Sequence, residues 1–551
     1  MRRTIFWLLH ISLWHLAVPG FGLLAADQPQ WGQAWSRNLV STERDLPDVF
    51  DPENGKNVKW SVELGTETHA TPVIAGGRIY IGTNNGHPRD AKHEGDRGVL
   101  MCLDEATGRL LWQLVVPKRI EDIFFDWPNA GICSPVTVEG DRVYLVSNRG
   151  EVMCLDAPGM ANGNDGPYLM EGAHMDPKLV WLASSNAPLP AAEQKLCDAA
   201  SPPGPLDADI LWLFELTSGA GIWSHDSAHS GILVHGDYLY LNTGTGVDNT
   251  HRKIRTPDAP GLVVLDKRTG RLIARDNEHT APNIFHSTWS APSMAEVNGR
   301  SLLFFAGGNG IVYSFEPVEN GVIESRSNGE AAKRSPAQAS AAPALQDSNA
   351  PSLSPALLKK VWQFDFDPAA PKTNVHKYNS NRRESPSNIF GMPVFDAGRL
   401  YVAGGGDIWW GKNEAWVKCI DATKTGDITT NGLVWSAQLD KHVMATPAVA
   451  HGLVFIVDCP GTLHCLDAVT GQPCWSHQLK GDGWASPFVA DGKVYLGTRS
   501  GEFYIFAAAR EKKLLTSKSL GSPVSATVTA ANGVLYVATM NRLFAVRRDG
   551  P

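Results

Sequence analysis

The sequence has no excess of positive charge: 49 lysines and arginines stand against 57 aspartates and glutamates, a formal net charge of −8. That removes the electrostatic footprint of a nucleic-acid binder, so small molecules, glycans or proteins are the expected partners. No CxxCH sequence occurs, which excludes haem attached in the c-type manner. No two of the 8 cysteines are adjacent, and none precedes Cys102, which disfavours a lipid anchor at a processed amino-terminal cysteine.

The amino terminus has the layout of a secretory signal. Arg2 and Arg3 precede an apolar stretch from Ile5 to Ala26, which ends in small residues before Asp27 and Gln28. His10, His15 and Pro19 interrupt it too often for a comfortable membrane span. The Arg-Arg pair also fits a twin-arginine signal. The expected organisation is a signal peptide over 1–26, an extension over 27–57 and one folded body over 58–551. The expected location is exported, in the periplasm or at the cell surface, with no stable membrane span once the signal is cleaved.

A phrase then returns along the chain: LDEATGRLLW from Leu103, LDKRTGRLIA from Leu265 and LDAVTGQPCW from Leu466, with a looser copy from Ile420 to Trp435. Upstream of each lies a Thr-Pro or Ser-Pro-like step, a short apolar run, a Gly-containing turn and a second β-rich run. Such self-similarity indicates a repeat architecture. The turns AGGR (Ala75), EGDR (Glu139), HGDY (His235), NGRS (Asn298), DAGR (Asp396), HGLV (His451), DGKV (Asp491) and ANGV (Ala531) mark eight hairpins. With the apolar-Asp and Trp-bearing phrases as third and fourth strands, the fold class is all-β: an eight-bladed β-propeller of four-stranded antiparallel blades. The chain ends one strand short, and Val58 to Leu64 has the spacing of the missing fourth strand. Its pairing with the carboxy-terminal three would close the ring and remove two exposed edges.

Cys102, Cys154, Cys419 and Cys465 occupy one repeated position before the apolar-Asp step, and equivalent positions of successive blades lie too far apart for a disulfide. Cys133, Cys197, Cys459 and Cys474 remain, and in an exported protein a bridge between some pair of them stays open. Two insertions fall between third and fourth strands. Ala157 to Ile210 is rich in Pro, Ala and Gly; Glu319 to Ser354 is rich in Ser, Ala and Pro and reads as a disordered excursion.

The apolar-Asp-x-x-Thr-Gly-x-x-x-Trp phrase resembles the tryptophan-docking repeat of pyrroloquinoline quinone (PQQ)-type β-propellers, over essentially Val58 to Val546. The resemblance implies a Trp packed between blades and a Gly turning into the outer strand. It implies either of two functions. One is a ligand- or protein-binding scaffold, like those of bacterial outer-membrane assembly. The other is a quinoprotein dehydrogenase that oxidises an alcohol or sugar with PQQ and Ca²⁺. The adjacent-cysteine disulfide of many alcohol-oxidising members is absent.

Elaborated loops point to where binding groups gather. In a propeller the turns between first and second strands share one face, and all of these are short here. The long segments, including Arg119 to Gly131, Asn242 to Gly261, Arg275 to Trp289, Lys372 to Phe390 and Gly404 to Trp416, belong to the other face. His225, Asp226 and His229 precede the innermost strand of one blade, and Asp248, Asn249 and His251 follow in the neighbouring loop. These imidazoles and carboxylates suit a divalent cation, a general base, or a hydrogen-bond network that orders the loops. A second set consists of the residues three before each Pro-like step: His69, Ile132, Ala228, Trp289, Phe390, Met444, Trp484 and Ser525. Trp289, Phe390 and Trp484 are candidates for a flat aromatic floor under a planar ring, or for simple plugging of the channel. Arg382, Arg383, Glu384, Lys412 and Glu414 are candidate lid charges. Under the dehydrogenase resemblance Asp226 would be the base, Asp248 and Asn249 the metal ligands, and Trp289 or Trp484 the cofactor platform, with Arg382 beside it.

Overall fold

A computed structural model describes residues 26–226, 230–319 and 354–548. Most of the expected signal peptide, His229 and all but the ends of the second insertion therefore lie outside the described residues. The described residues form eight sheets, each built on four antiparallel strands, arranged as an eight-bladed β-propeller. The first blade comprises Val73–Ala75, Arg78–Asn84, Arg97–Asp104 and Leu110–Pro117. The eighth comprises Thr529–Ala531, Val534–Ala538 and Arg542–Val546, and the amino-terminal strand Val58–Glu63 lies antiparallel to the last of these, Ser61 opposite Phe544.

Each innermost hairpin turns through two residues, as in Ala531 paired with Val534 around Asn532-Gly533. The Asp of the repeated phrase then stops the third strand by an Asx turn. Asp104 Oδ1 accepts from the Thr107 N–H at 2.9 Å and its hydroxyl at 2.6 Å. The glycine that follows admits the tryptophan of the preceding blade: a Cβ on Gly270 would stand 2.4 Å from Trp212 Cε3. The indole also donates across the seam, Trp212 Nε1 to the Lys267 carbonyl at 3.1 Å and Trp112 Nε1 to the Ala157 carbonyl at 2.8 Å. Blade packing is thus written into the phrase itself.

Two short strands seal outer edges. Ala356–Leu357 adds parallel to Leu272–Arg275 of the third blade, and Gly426–Asp427 adds parallel to Lys360–Asp365 of the fourth. The first insertion folds into short helices, Glu171–Met175, Val180–Ala183 and Ala191–Asp198, against the second blade. All eight cysteines are free, so no pair among Cys133, Cys197, Cys459 and Cys474 is bridged. No helix among the described residues is long and apolar enough to cross a membrane.

The amino-terminal extension has a structural role that the repeats do not announce. Innermost strands present unpaired backbone groups toward the channel, and such groups require partners. The extension supplies them blade by blade. Carbonyls of Gln28, Pro29, Trp35, Ser36 and Leu39 accept from the N–H groups of Ile74, Val138, Met294, Phe395 and Val489. Trp35 Nε1 donates to the Val234 carbonyl, the Asn38 side chain pairs with both backbone groups of Val449, and Glu43 accepts from the Gly533 N–H. Residues 28–43 therefore touch the inner edge of every blade and fill the channel on the side of the short turns.

Candidate functional site

On the other side of that plug, the starts of the innermost strands and the long loops enclose a cavity of about 590 Å³. That volume falls in the range of small-molecule sites. Trp31, from the extension, lines it. His69, Trp289, Phe390, Met444, Trp484 and Ser525 from the repeated inner-strand position also line it, whereas Ile132 does not and Ala228 lies outside the described residues.

The aromatic residues form walls rather than a flat floor. Trp289 and Phe390 have ring centroids 4.6 Å apart at 34°. Trp409 meets Trp289 edge-on at 5.7 Å and Trp484 edge-on at 6.0 Å. The Arg499 guanidinium lies 4.0 Å over the Trp484 ring. Trp409 and Trp410 owe their placement to Asp407, whose Oδ1 accepts their backbone N–H groups at 2.9 and 2.7 Å.

Arg382 does not line the cavity. Its guanidinium donates to the carbonyls of Ile408, Trp409 and Gly411, so it clasps the tryptophan loop from outside. Lys412 is no lid charge either: it is buried, with Nζ 2.6 Å from Asp367 and 3.1 Å from Glu414.

At one wall of the cavity, His225, His251 and His286 bring one ring nitrogen each to within 4.8 Å of one another. His225 Nδ1 is bonded to the Val247 carbonyl at 2.8 Å, and His286 Nδ1 to Asp407 Oδ2 at 2.9 Å. The Nε2 atoms of both rings are buried and have no hydrogen-bond partner among the described residues. The Asp226 carboxylate stands between them, Oδ1 at 3.5 Å from His225 Nε2 and Oδ2 at 3.5 Å from His286 Nε2. Each imidazole packs on an aromatic ring: His225 stacks on Phe124 at 5.7 Å, His251 tilts against Trp410 at 4.9 Å, and His286 meets Trp409 edge-on at 5.2 Å. Asp226 and His251 both hold left-handed backbone, φ 65° and 54°. For residues with a Cβ this is a sparsely populated region that surrounding contacts must maintain. The Asp226 N–H donates to the Phe124 carbonyl.

Electrostatics follow burial. Burial, then the charges of His286 and His251, hold the His225 imidazole well below its ordinary value. Burial also lowers His251. For His286 burial acts downward, but the Asp407 carboxylate and then Asp226 offset it, and the net direction is up. Burial raises the Asp226 carboxyl to about 6, against the pull of His286 and with Asp407 adding to the rise.

Of the residues expected from sequence, the structure brings His225 and Asp226 together and adds His251. His229 lies outside the described residues. Asp248 and Asn249 do not line the cavity: Asp248 Oδ1 caps its own loop through Thr250, and Asn249 Oδ1 accepts from Arg255. Trp409, Asp407 and His286 were absent from the expected site. His286 had a readable signal, because it stands three residues before Trp289 as His225 stands three before Ala228. The two histidines are register equivalents in adjacent blades.

A family model described as outer membrane protein assembly factor BamB matches residues 95–160 and 413–550, less than half of the chain. No curated protein matches the sequence. Among solved structures, quinohemoprotein alcohol dehydrogenase from Comamonas testosteroni superposes with a TM-score of 0.55 at 13% identity, covering 96% of this chain and 81% of its own. A europium-containing methanol dehydrogenase gives 0.53 at 11% identity, covering 93% and 89%. BamB from Moraxella catarrhalis gives 0.48 at 11% identity, covering 89% and 97%. The matched repeats and the eight blades make the chain a β-propeller protein of the PQQ-like repeat type.

Proposed function

We propose that this protein is an exported propeller that binds a small organic ligand in the central cavity, with the aromatic walls supplying the contact area. The observation that carries the reading is the cavity itself, about 590 Å³ and lined by six tryptophans, Trp31, Trp127, Trp289, Trp409, Trp410 and Trp484. Indoles offer large, stiff apolar surface with one polar edge, and several converging on one void suit a planar ring or a sugar face. The indole nitrogens of Trp31, Trp289 and Trp484 are buried without hydrogen-bond partners among the described residues. Export is supported by the signal-like segment from Ile5 to Ala26.

The alternative, a PQQ- and Ca²⁺-dependent dehydrogenase, agrees with the fold but not with the residues in the cavity. Ca²⁺ takes six to eight oxygen ligands. Here the cluster beside the cavity is imidazole-rich, and Asp248 and Asn249 are engaged in their own loop. PQQ carries three carboxylates. Arg499 is the single lysine or arginine among the lining residues, set against Glu67 and Asp226.

The test is a titration of the full chain with monosaccharides and with planar quinones, PQQ among them, read by intrinsic tryptophan fluorescence. Saturable quenching that is lost in Trp409→Ala supports the cavity reading. Absence of any saturable change up to about 1 mM, the weak end of the affinity scale, overturns it. Dye reduction with alcohols on addition of PQQ and Ca²⁺ would restore the dehydrogenase alternative.

A further inference from the structure

We propose that His225, His251 and His286, together with Asp226, form a binding site for a first-row transition-metal dication such as Zn²⁺ in the cavity wall. The inference concerns the same cavity as the ligand-binding reading but needs no organic ligand, so metal uptake alone decides it.

Three features separate this cluster from a hydrogen-bond network that merely orders loops. First, a network of that kind uses both nitrogens of a buried imidazole, since an unpaired buried polar atom is costly. The Nε2 atoms of His225 and His286 are left without hydrogen-bond partners among the described residues, and both rings are almost fully buried. Second, the opposite nitrogen of each ring is already fixed, on the Val247 carbonyl in one case and on the Asp407 carboxylate in the other. Metal-binding histidines are oriented in this way, by a carbonyl or carboxylate that fixes the tautomer and raises the basicity of the coordinating nitrogen. Third, a carboxylate stands 3.5 Å from both free nitrogens and supplies negative charge for a cation.

The donor set selects the class of ion. Imidazole with one carboxylate suits Zn²⁺, Cu²⁺, Ni²⁺ and Fe²⁺ rather than Ca²⁺ or Mg²⁺. Nitrogens at about 2.0–2.1 Å from one ion stand about 3.3 Å apart. The present spread, within 4.8 Å, closes with side-chain shifts of about 1 Å. Asp226, His251 and His286 all line the cavity, so any further coordination position faces the ligand space.

Other groups of metal-ligating residues lack this combination: His93 Nε2 is also buried without a hydrogen-bond partner, but a lysine already neutralises its neighbour Asp207, and Asp156, Asp165 and Asp209 include no imidazole. Asp90, His93 and Asp207 already hold a cation, with Lys92 Nζ 2.5 Å from Asp207. In the group of Asp440, Asp458 and His464, His464 Nε2 is bonded to Asp458 at 3.0 Å.

The test begins with full-length protein dialysed against a chelator and titrated with Co²⁺, read by its visible d–d absorption, with Zn²⁺ as competitor. One equivalent is expected to bind, and Zn²⁺ to displace it. Hyperfine-shifted exchangeable ring N–H signals in the Co²⁺ protein count the histidine ligands without any mutation. The His225 and His286 protons, held on Val247 and Asp407, are expected among them. Asp407→Asn removes the charge behind His286 and is expected to weaken Co²⁺ binding by about 10- to 100-fold. The proposal is overturned if wild-type protein takes up no stoichiometric Co²⁺ at roughly 100 µM. It is overturned equally if no shifted ring signal appears, or if uptake persists unchanged in His225→Ala/His286→Ala. A failed organic-ligand titration alongside intact metal uptake would sink only the ligand reading.

Discussion

The guanidinium of Arg37 donates through Nε to the carbonyl oxygen of Pro292 at 3.0 Å, joining the amino-terminal extension to the start of the fourth blade. The same side chain reaches the carbonyls of Trp31 at 3.1 Å and Gly231 at 3.3 Å and is fully buried. Burial lowers the Arg37 pKa to about 9, the signature of a cation held in a dry setting. Arg37→Ala strands the carbonyl acceptors of Trp31, Gly231 and Pro292 and leaves a cavity where the buried side chain stood, so a loss of about 2–4 kcal/mol is expected. Urea denaturation should show a lower midpoint with an unchanged slope. A midpoint within error of wild type would mean that the plug does not stabilise the ring.

The seam between the second and third blades allows a paired test. Gly270 and Gly299 both have positive φ, 71° and 74°, so alanine meets the same backbone strain at either position. A Cβ on Gly270 would strike Trp212 at 2.4 Å, whereas one on Gly299 has nothing within 4 Å. Gly299→Ala is expected to cost about 1 kcal/mol, the left-handed penalty alone. Gly270→Ala should cost about 1–3 kcal/mol more, because the docked indole must move. Equal costs would show that the Trp–Gly contact contributes nothing to blade packing.

Glu151 makes the stability of the second blade depend on pH. Its buried carboxylate contacts His174 Nε2 at 3.2 Å and accepts from Ser147 Oγ at 2.6 Å and from Ser184, tying the inserted helices to the blade. Burial opposes the charge, yet His174 and Arg149 hold the carboxyl at about 2, below its ordinary value of 4.5. A depressed folded value gives stability that is fully present above about pH 4.5 and is lost as pH falls toward 2. The expected loss is on the order of 2 kcal/mol across that window. Glu151→Gln should flatten this part of the stability-versus-pH curve, measured by urea unfolding between pH 6 and pH 3. A variant curve parallel to wild type there would refute the assignment.

The repeated phrase was legible because its function is local. The Asx turn and the glycine act within a few residues and the indole docks on the next blade, so their spacing survives in the linear sequence, and the eight hairpin turns give the blade count. The inner-strand position was legible for the same reason, and it placed Trp289, Phe390 and Trp484 on the cavity. Asp407 was not legible. Its carboxylate joins His286, 121 residues earlier, to the backbone of Trp409 and Trp410, and no periodicity encodes a contact between two loops. The extension was hidden for a related reason: it pairs through backbone carbonyls, which any sequence possesses. Arg382 was misplaced because a loop arginine looks the same whether it meets a ligand or a row of carbonyls.

The clasp made by Arg382 can be tested apart from any ligand. Its fork spans the carbonyls of Ile408, Trp409 and Gly411, so it fixes the loop that holds Trp409 and Trp410 at the cavity. The side chain is exposed, and its removal should cost no more than about 1 kcal/mol of global stability. The local effect is expected to be larger. Without the clasp the loop opens more often, and the acrylamide quenching constant of the cavity tryptophans should rise in Arg382→Ala. Arg382→Lys should not restore the wild-type value, because an ammonium cannot bridge several carbonyls in the fixed geometry of a guanidinium. Full rescue by lysine would show that charge alone acts at this position, and unchanged quenching in the alanine variant would show that Asp407 holds the loop without help.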